Sequence, residues 1–309
     1  LIIAYYFPPA AVVGTNRMAR FAKHLPSQDW KTTVITVKEK FYDLRDETIG
    51  YGLNGNCRII RTEMTEFSKV HRKYEVTPEG GLKSTGLKHK EKMNPIQQFL
   101  RTYASTPDTR AGWIPKAVAE SLRVIREDKI DAVLTTSFPY SAHIIGLIIK
   151  SLKGLFWVAD FRDPWAEYAF LYPNTHFHKK ASQYLESKVI SIADIVIANT
   201  SFARDRFAER YRQYSEKIKT VPNGYDQEEI DRLSLLNHEP KPNDSFVILH
   251  AGTIPSEKER RYPDNFFEAI SIFIQRHPET RNKLFVRFIG HIHFNSDLTE
   301  LAHKYGIES

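Results

Sequence analysis

Short apolar segments that end at turn residues alternate with stretches of helical periodicity along this chain, and that alternation leaves few folds open. Leu1 to Phe7 is apolar and aromatic throughout and stops at Pro8-Pro9, which cannot continue a central strand. After a loop, Thr15 is placed to cap a helix whose apolar positions Met18, Phe21 and Leu25 recur at helical spacing, and Lys31 to Val37 supplies the next strand. The alternation returns with strands at Ala132 to Thr136, Leu155 to Asp160, Asp194 to Ala198 and Ile218 to Val221. Helical segments stand between them at Ser141 to Ser151, Thr175 to Ala193 (Leu185, Val189 and Ile192 on one face) and Phe202 to Tyr214. Strands separated by helices imply a parallel sheet covered on both faces, an α/β doubly wound domain.

At 309 residues the chain exceeds the ~100–200 residues of one domain, so two are expected. Asn223-Gly224 is a turn signal, and Asn237 to Ser245 is polar with Pro240 and Pro242, so 1–222 reads as the first domain and 223–245 as a linker. A second domain of the same class occupies 246–309: a strand at Phe246 to His250, a helix with Pro263 in its first turn and Phe266, Ile270 and Ile274 on one stripe, and a strand at Leu284 to Ile289. It is incomplete, and such a half-domain buries too little surface to be expected to stand alone. Within the first domain the pattern fails at 69–92, where His71, Arg72, Lys73, Lys83, Lys88, His89 and Lys90 surround Gly80-Gly81; this basic insertion is either a solvated loop or a contact with a membrane or acceptor.

Composition excludes more than it selects. With 41% hydrophobic and 26% charged residues the chain is an ordinary folded protein. One cysteine, Cys57, rules out an internal disulfide framework and any Cys-rich zinc site, which fits a cytoplasmic address. The apolar run Ile144 to Val158 is interrupted by Lys150 and Lys153 and falls short of the ~20 residues of a spanning helix, and no secretion signal is visible. The net charge of +7 favours anionic partners, but without an RNP-type motif, a zinc finger or an uninterrupted basic run, nucleic acid is not expected among them.

In an open parallel sheet, ligands bind beyond the carboxyl ends of the strands, so four loops matter. In the first, Pro8 to Arg17 (PPAAVVGTNR), Gly14 lets backbone approach a ligand at a helix N-terminus; without G-x-G-x-x-G a nicotinamide site is disfavoured, and a plain connection is an equal alternative. The second, Asp160 to Trp165 (DFRDPW), sets two carboxylates and a guanidinium at a strand end. Either Asp160 and Arg162 form a structural pair or cap a helix, or the group serves a site, with Asp163 the residue that faces the cleft. In the third, Ser137 to Tyr140 (SFPY), the residues line an acceptor pocket, or Ser137 and Ser141 are caps. The fourth, Gly252 to Pro263 (GTIPSEKERRYP), offers glycine, Lys258, Arg260 and Arg261 before a helix, suited to a diphosphate because Arg matches phosphate oxygens in a bidentate way; solvated cations on a mobile loop are the alternative.

Taken in order, YYFPPAAVVGTNR, PDTRAGW, TTSFPYSA, ADFRDPW, IVIANTS, VPNGYD and LHAGTI followed by RYPDNFFEAI resemble the group 1 (family 4) glycosyltransferases of the GT-B fold, closest to bacterial members that build capsule and O-antigen. The resemblance implies two Rossmann-like domains, the first holding the acceptor and the second the nucleotide sugar, with retention at the anomeric carbon. Carried over residue by residue, it implies catalytic roles for Asp163 and Arg162, donor contacts at Gly14, Gly252, Arg260 and Arg261, and acceptor contacts at Asn16, Arg17, Ser137 and Tyr140. It implies no metal and no cofactor beyond the nucleotide-sugar substrate, and a lipid-linked or glycan acceptor; the basic stretch from Lys69 to Lys92 and the net positive charge point to reversible peripheral attachment to the inner face of the plasma membrane. The family's Glu-x7-Glu motif would fall after Ser309. Two other readings are a sugar-nucleotide 2-epimerase and a non-catalytic binding protein of the same fold.

Overall fold

The computed structural model describes residues 1–12, 14–50, 52–53, 55, 57–65, 74–76, 82–84, 106–167, 175–235, 244–252, 254, 263–290 and 298–307. The basic insertion therefore lies mostly outside the described residues, apart from an antiparallel hairpin of Tyr74–Val76 and Leu82–Ser84. The chain divides into two compact units, one of residues 1–71 and 87–227, the other of 72–86 and 228–309.

The larger unit is a parallel sheet. Its strands are β1 (Ile2–Ile3), β2 (Thr32–Val37), β3 (Cys57–Thr62), then, with the hairpin strands taken as β4 and β5, β6 (Ala132–Thr136), β7 (Phe156–Phe161), β8 (Ile195–Ala198) and β9 (Ile218–Thr220). They lie in the order β3-β2-β1-β6-β7-β8-β9, each pair parallel. Winding therefore runs outward from β1 to β3 and then returns to β6, placing a topological switch point between β1 and β6. The intervening helices are α1 (Thr15–His24), α2 (Ile114–Glu127), α3 (Ser141–Lys153), α4 (His176–Ile192) and α5 (Ser201–Arg210).

Successive side chains of a strand point to opposite faces, and both faces here are buried. Ile2, Ala4 and Val34 pack with Met18, Ala19 and Ala22 of α1 on one side. Leu1, Ile3, Tyr5, Ile35 and Val37 pack on the other with Trp113, Val124 and Ile145. Helix α3 approaches the sheet closely at Gly146, where a Cβ would stand 2.5 Å from Trp157 Nε1 and 2.6 Å from Thr135 Cγ2. Beside it, Trp157 Nε1 donates to Thr135 Oγ1 (3.0 Å), which meets His143 Nδ1 at 2.8 Å. Burial with no countercharge pushes the His143 pKa from 6.5 down to about 3.

Several boundaries differ from expectation. The first strand is two residues long rather than seven, because Tyr5 and Phe7 are fully buried without continuing the ladder. Thr15 is not a cap: Gly14 holds that position, and the Thr15 hydroxyl is buried without a hydrogen-bond partner. Thr175 and Thr200 do cap α4 and α5. Part of the expected linker is a helix, α6 (Gln227–Ser234).

In the smaller unit β10 (Phe246–Ala251) pairs in parallel with β11 (Leu284–Ile289). Between them α7 (Asp264–Arg276) lays Phe267 flat on Phe288, with ring centroids 5.8 Å apart, and α8 (Leu298–Tyr305) follows. Asp264 binds Lys304 and the Tyr305 hydroxyl, each at 2.8 Å. Phe246, Leu249 and Ile289 stay exposed, in keeping with a unit of two strands.

Gly146→Ala should destabilise the protein by ~1–3 kcal/mol through overpacking against Trp157, read by chemical denaturation; an unchanged midpoint would refute the close approach. His143 should make stability fall with acidification, since the unfolded chain takes up the proton near pH 6.5 and the folded chain only near pH 3. His143→Gln should flatten that slope between these two values.

Candidate functional site

The loops beyond the carboxyl ends of β1, β6, β7 and β9 converge on the switch point, and one guanidinium organises them. Arg17, in the first turn of α1, is 7% exposed and reaches Asp160 at the end of β7 through Nε (3.0 Å to Oδ2) and Nη2 (2.8 Å to Oδ1). Its remaining donors go to the Val221 carbonyl (2.8 Å), the Pro222 carbonyl (3.0 Å) and Asn223 Oδ1 (3.1 Å). Asp160 also accepts from Thr136 Oγ1, 2.8 Å away at the end of β6. Further along α1, Arg20 donates to the Gly224 carbonyl (2.7 Å) and Lys23 pairs with Asp226 (2.7 Å), so the helix holds the whole segment after β9.

Two expectations are corrected by this network. Arg17 does not face an acceptor, because its donors are spent inside the protein. Asp160 does not pair with Arg162; it pairs with Arg17. Arg162, left free of Asp160, turns to the loop after β6: its Nε donates to the Ser137 carbonyl, Nη2 lies 3.5 Å from the Phe138 carbonyl, and its amide lies 3.4 Å from Ser137 Oγ. The guanidinium packs over Gly14 so closely that a Cβ there would fall 1.4 Å from Nη1. Gly14 thus admits a neighbouring side chain, and the first and second loops form one surface.

The third loop is held from beneath. Tyr140 is fully buried, its ring stacked on Trp165 at 4.7 Å with the planes 3° apart, and Ser137 is 1% exposed. Neither side chain lines an open pocket as expected. The N-terminus of α3 is capped from a distance by Asp108, which accepts from the Ser141 amide and hydroxyl, each at 2.8 Å, rather than by Ser137 or Ser141. Burial pushes the Asp108 carboxyl pKa up, against the pull of these hydrogen bonds. Asp163 is exposed beyond β7, and Asn16 is half-buried in the first turn of α1. Among the site residues of the larger unit Asp163 is thus the exposed one, with Asn16 and Arg162 half-buried.

Sequence reasoning missed an aromatic group past the end of β1. Arg110 lies 5.2 Å over the Tyr5 ring and 3.3 Å from Asp43, while Tyr5 meets Trp113 edge to face at 5.3 Å and Tyr6 at 4.9 Å. Alternation alone placed Tyr5 and Tyr6 in a strand, whereas both lie past its end, with Tyr5 fully buried.

In the smaller unit, Gly252 follows β10 and donates its amide to the Ile289 carbonyl at 2.8 Å. Gly290, which sequence reasoning also missed, has φ +143°, and a Cβ there would stand 2.1 Å from the Gly252 carbonyl oxygen, so the two strand ends close on each other only as glycines. Arg260 and Arg261, with Lys258, lie outside the described residues. Among the described residues no group of three or more His, Cys, Asp or Glu is placed to hold a metal, and no helix is long and apolar enough to cross a membrane.

Residues 84–229, which contain the loops after β6, β7 and β9, match the model of Glycosyltransferase Family 4. Among its relatives, an uncharacterised glycosyltransferase of Methanocaldococcus jannaschii is 25% identical over 219 residues, covering 63% of this chain and 48% of the relative. A D-inositol 3-phosphate glycosyltransferase of Catenulispora acidiphila is 32% identical over 130 residues, 40% of this chain and 30% of its own length. The chain thus spans about half the length, or less, of these relatives. Sucrose-phosphate synthase of Thermosynechococcus elongatus superposes with a TM-score of 0.51 at 14% identity, covering 99% of this chain and 68% of that one, a likeness of fold. The fold is α/β of the GT-B kind.

Removing one partner of the Arg17–Asp160 pair leaves the other charge buried and uncompensated. Arg17→Met and Asp160→Ala should each cost ~3–5 kcal/mol in denaturant titrations, and the double variant clearly less than their sum. Additive losses would show that the two charges do not support each other.

Proposed function

We propose that the chain belongs to a retaining glycosyltransferase that moves a sugar from a nucleotide-sugar donor to a lipid-linked or polysaccharide acceptor in cell-surface glycan synthesis, as for capsule or O-antigen. The observation that carries the reading is the family match over the loops that meet at the β1/β6 switch point. In this reading Asn16 and the outward edge of the first unit hold the acceptor, and the Gly252 loop with Arg260 and Arg261 holds the donor diphosphate. The acceptor hydroxyl attacks the anomeric carbon on the face the diphosphate leaves; cationic groups stabilise the charge that develops on the leaving oxygens. Arg162, anchored on the carbonyls after β6, supplies a fixed positive charge beside Gly14, and Asp163 orients the attacking hydroxyl. No metal step is invoked.

The relative named for D-inositol 3-phosphate favours a second acceptor class, a phosphorylated polyol, within the same reaction. The 2-epimerase reading would instead need turnover of a UDP-sugar without acceptor.

A calorimetric panel of nucleotide sugars, followed by transfer assays with lipid-linked glycan and inositol phosphate acceptors, tests the proposal. Asp163→Asn and Arg261→Ala should each lower transfer at least about tenfold. Wild-type rates in Asp163→Asn would remove it from the mechanism, and epimerisation without acceptor would replace the reading altogether.

A further inference from the structure

The outward face of α4 is unlike that of a helix whose only task is to cover a sheet. Its inward positions are His178, Ser182, Glu186, Val189 and Ile190, all buried. The outward stripe therefore falls on Phe177, Lys180, Tyr184, Lys188 and Ile192, three or four residues apart. Phe177 is 51% exposed, Tyr184 61% and Ile192 37%. Lys179 is exposed beside them, and Lys188 Nζ sits 5.6 Å over the Tyr184 ring.

The single acid of this helix is withdrawn. Glu186 is fully buried, accepting from the Ala166 amide (2.8 Å), the Tyr211 hydroxyl (2.7 Å) and Arg210 Nη1 (3.2 Å). Rings and cations are thus displayed with no negative charge among them on the helix. The surface continues onto α3. Lys150 pairs with Asp194, just past α4, at 2.7 Å, so both helices end at the same edge of the sheet, where Leu152 (60% exposed), Lys153 and Phe156 (47% exposed) lie.

A solvated helix face mixes both signs of charge, and a protein interface is depleted in lysine. Aromatic rings set among lysines on one helix face match the headgroup layer of a bilayer: rings settle at the boundary of apolar and wet regions, and lysine stems lie along it with their ammonium groups on anionic lipid. We infer that the outer face of α4, extended by Leu152, Lys153 and Phe156, docks on an anionic membrane surface. The inference gives a surface to the membrane contact expected from the sequence, and it does not depend on the chemistry proposed above. Through Glu186 and Ala166 the docked helix would also fix the height of the DFRDPW turn above the lipid.

The test is co-sedimentation of the purified protein with vesicles of phosphatidylcholine alone and of phosphatidylcholine with phosphatidylglycerol, at low and raised salt. Binding is expected only with the anionic lipid and should weaken with salt. Lys180→Glu with Lys188→Glu should lower partitioning at least about tenfold. Phe177→Ser with Tyr184→Ser should lower it at raised salt too, where charge contributes less. Both variants alter exposed residues and should keep the wild-type thermal midpoint and nucleotide-sugar binding, which separates failure here from failure of the transferase reading. Equal binding to neutral vesicles, no binding, or unchanged binding after charge reversal would overturn the inference. Loss of binding only when the charges of 69–92 are removed would move the contact to that insertion. A concentration-dependent dimer that disappears in the Phe177/Tyr184 variant would give the face to a second copy of the chain instead.

Discussion

The buried pair of Arg17 and Asp160 is the constraint on which the rest of the site depends. Desolvating two charges is costly, and the attraction between them offsets that cost only when every remaining donor and lone pair is also satisfied. Here the condition is met by groups from separate strand ends: Thr136 after β6 for the carboxylate, and Val221, Pro222 and Asn223 after β9 for the guanidinium. A single planar side chain thereby ties α1, β6, β7 and the segment beyond β9 into one piece. Lysine could not replace it, since one ammonium group cannot address the carboxylate and the carbonyls in a fork.

A consequence follows for the neighbouring charge. Because Asp160 is already neutralised, Arg162 is released to the carbonyls of Ser137 and Phe138 and to the space that Gly14 leaves open. Its guanidinium is thereby fixed on the carbonyls after β6, at the mouth of the switch point. Asp163, one residue on, is exposed. Within DFRDPW, Asp160 is buried at the end of β7 and Asp163 is exposed in the bend beyond it.

How much of this could be read from sequence depends on what each signal reports. Apolar periodicity reports burial, so β11 was placed correctly at Leu284–Ile289, while Leu1 to Phe7 was read as one strand although only Ile2 and Ile3 pair. β3 was missed because Arg58 and Arg61 interrupt its apolar pattern, as an edge strand allows. α2 was missed although Ile114, Val118 and Ile125 recur at helical spacing and pack on the core beside the buried Ala117, Ser121 and Val124. Charged residues in a loop announce that they need partners without naming them. Arg17 was therefore read as a substrate contact, whereas its partners lie 143 and more residues away in the chain. Tyr140 went wrong for a related reason: a tyrosine before a helix looks available until Trp165 is found stacked on it.

The inward and outward faces of α4 are best explained together. For stability alone an apolar residue at position 186 would be the cheaper choice, since burial pushes the Glu186 carboxyl pKa up and works against its ionised form. What the acid supplies is direction: it holds the Ala166 amide at the end of the DFRDPW turn and gathers Tyr211 and Arg210 of the next helix and its following turn. The same placement removes negative charge from the helix exterior, leaving Lys179, Lys180 and Lys188 unopposed on it. One buried carboxylate thus sets the turn that carries Asp163 on one side and the sign of the surface on the other. A change at Glu186 would disturb both at once, whereas changes to the exposed lysines would reach only the surface.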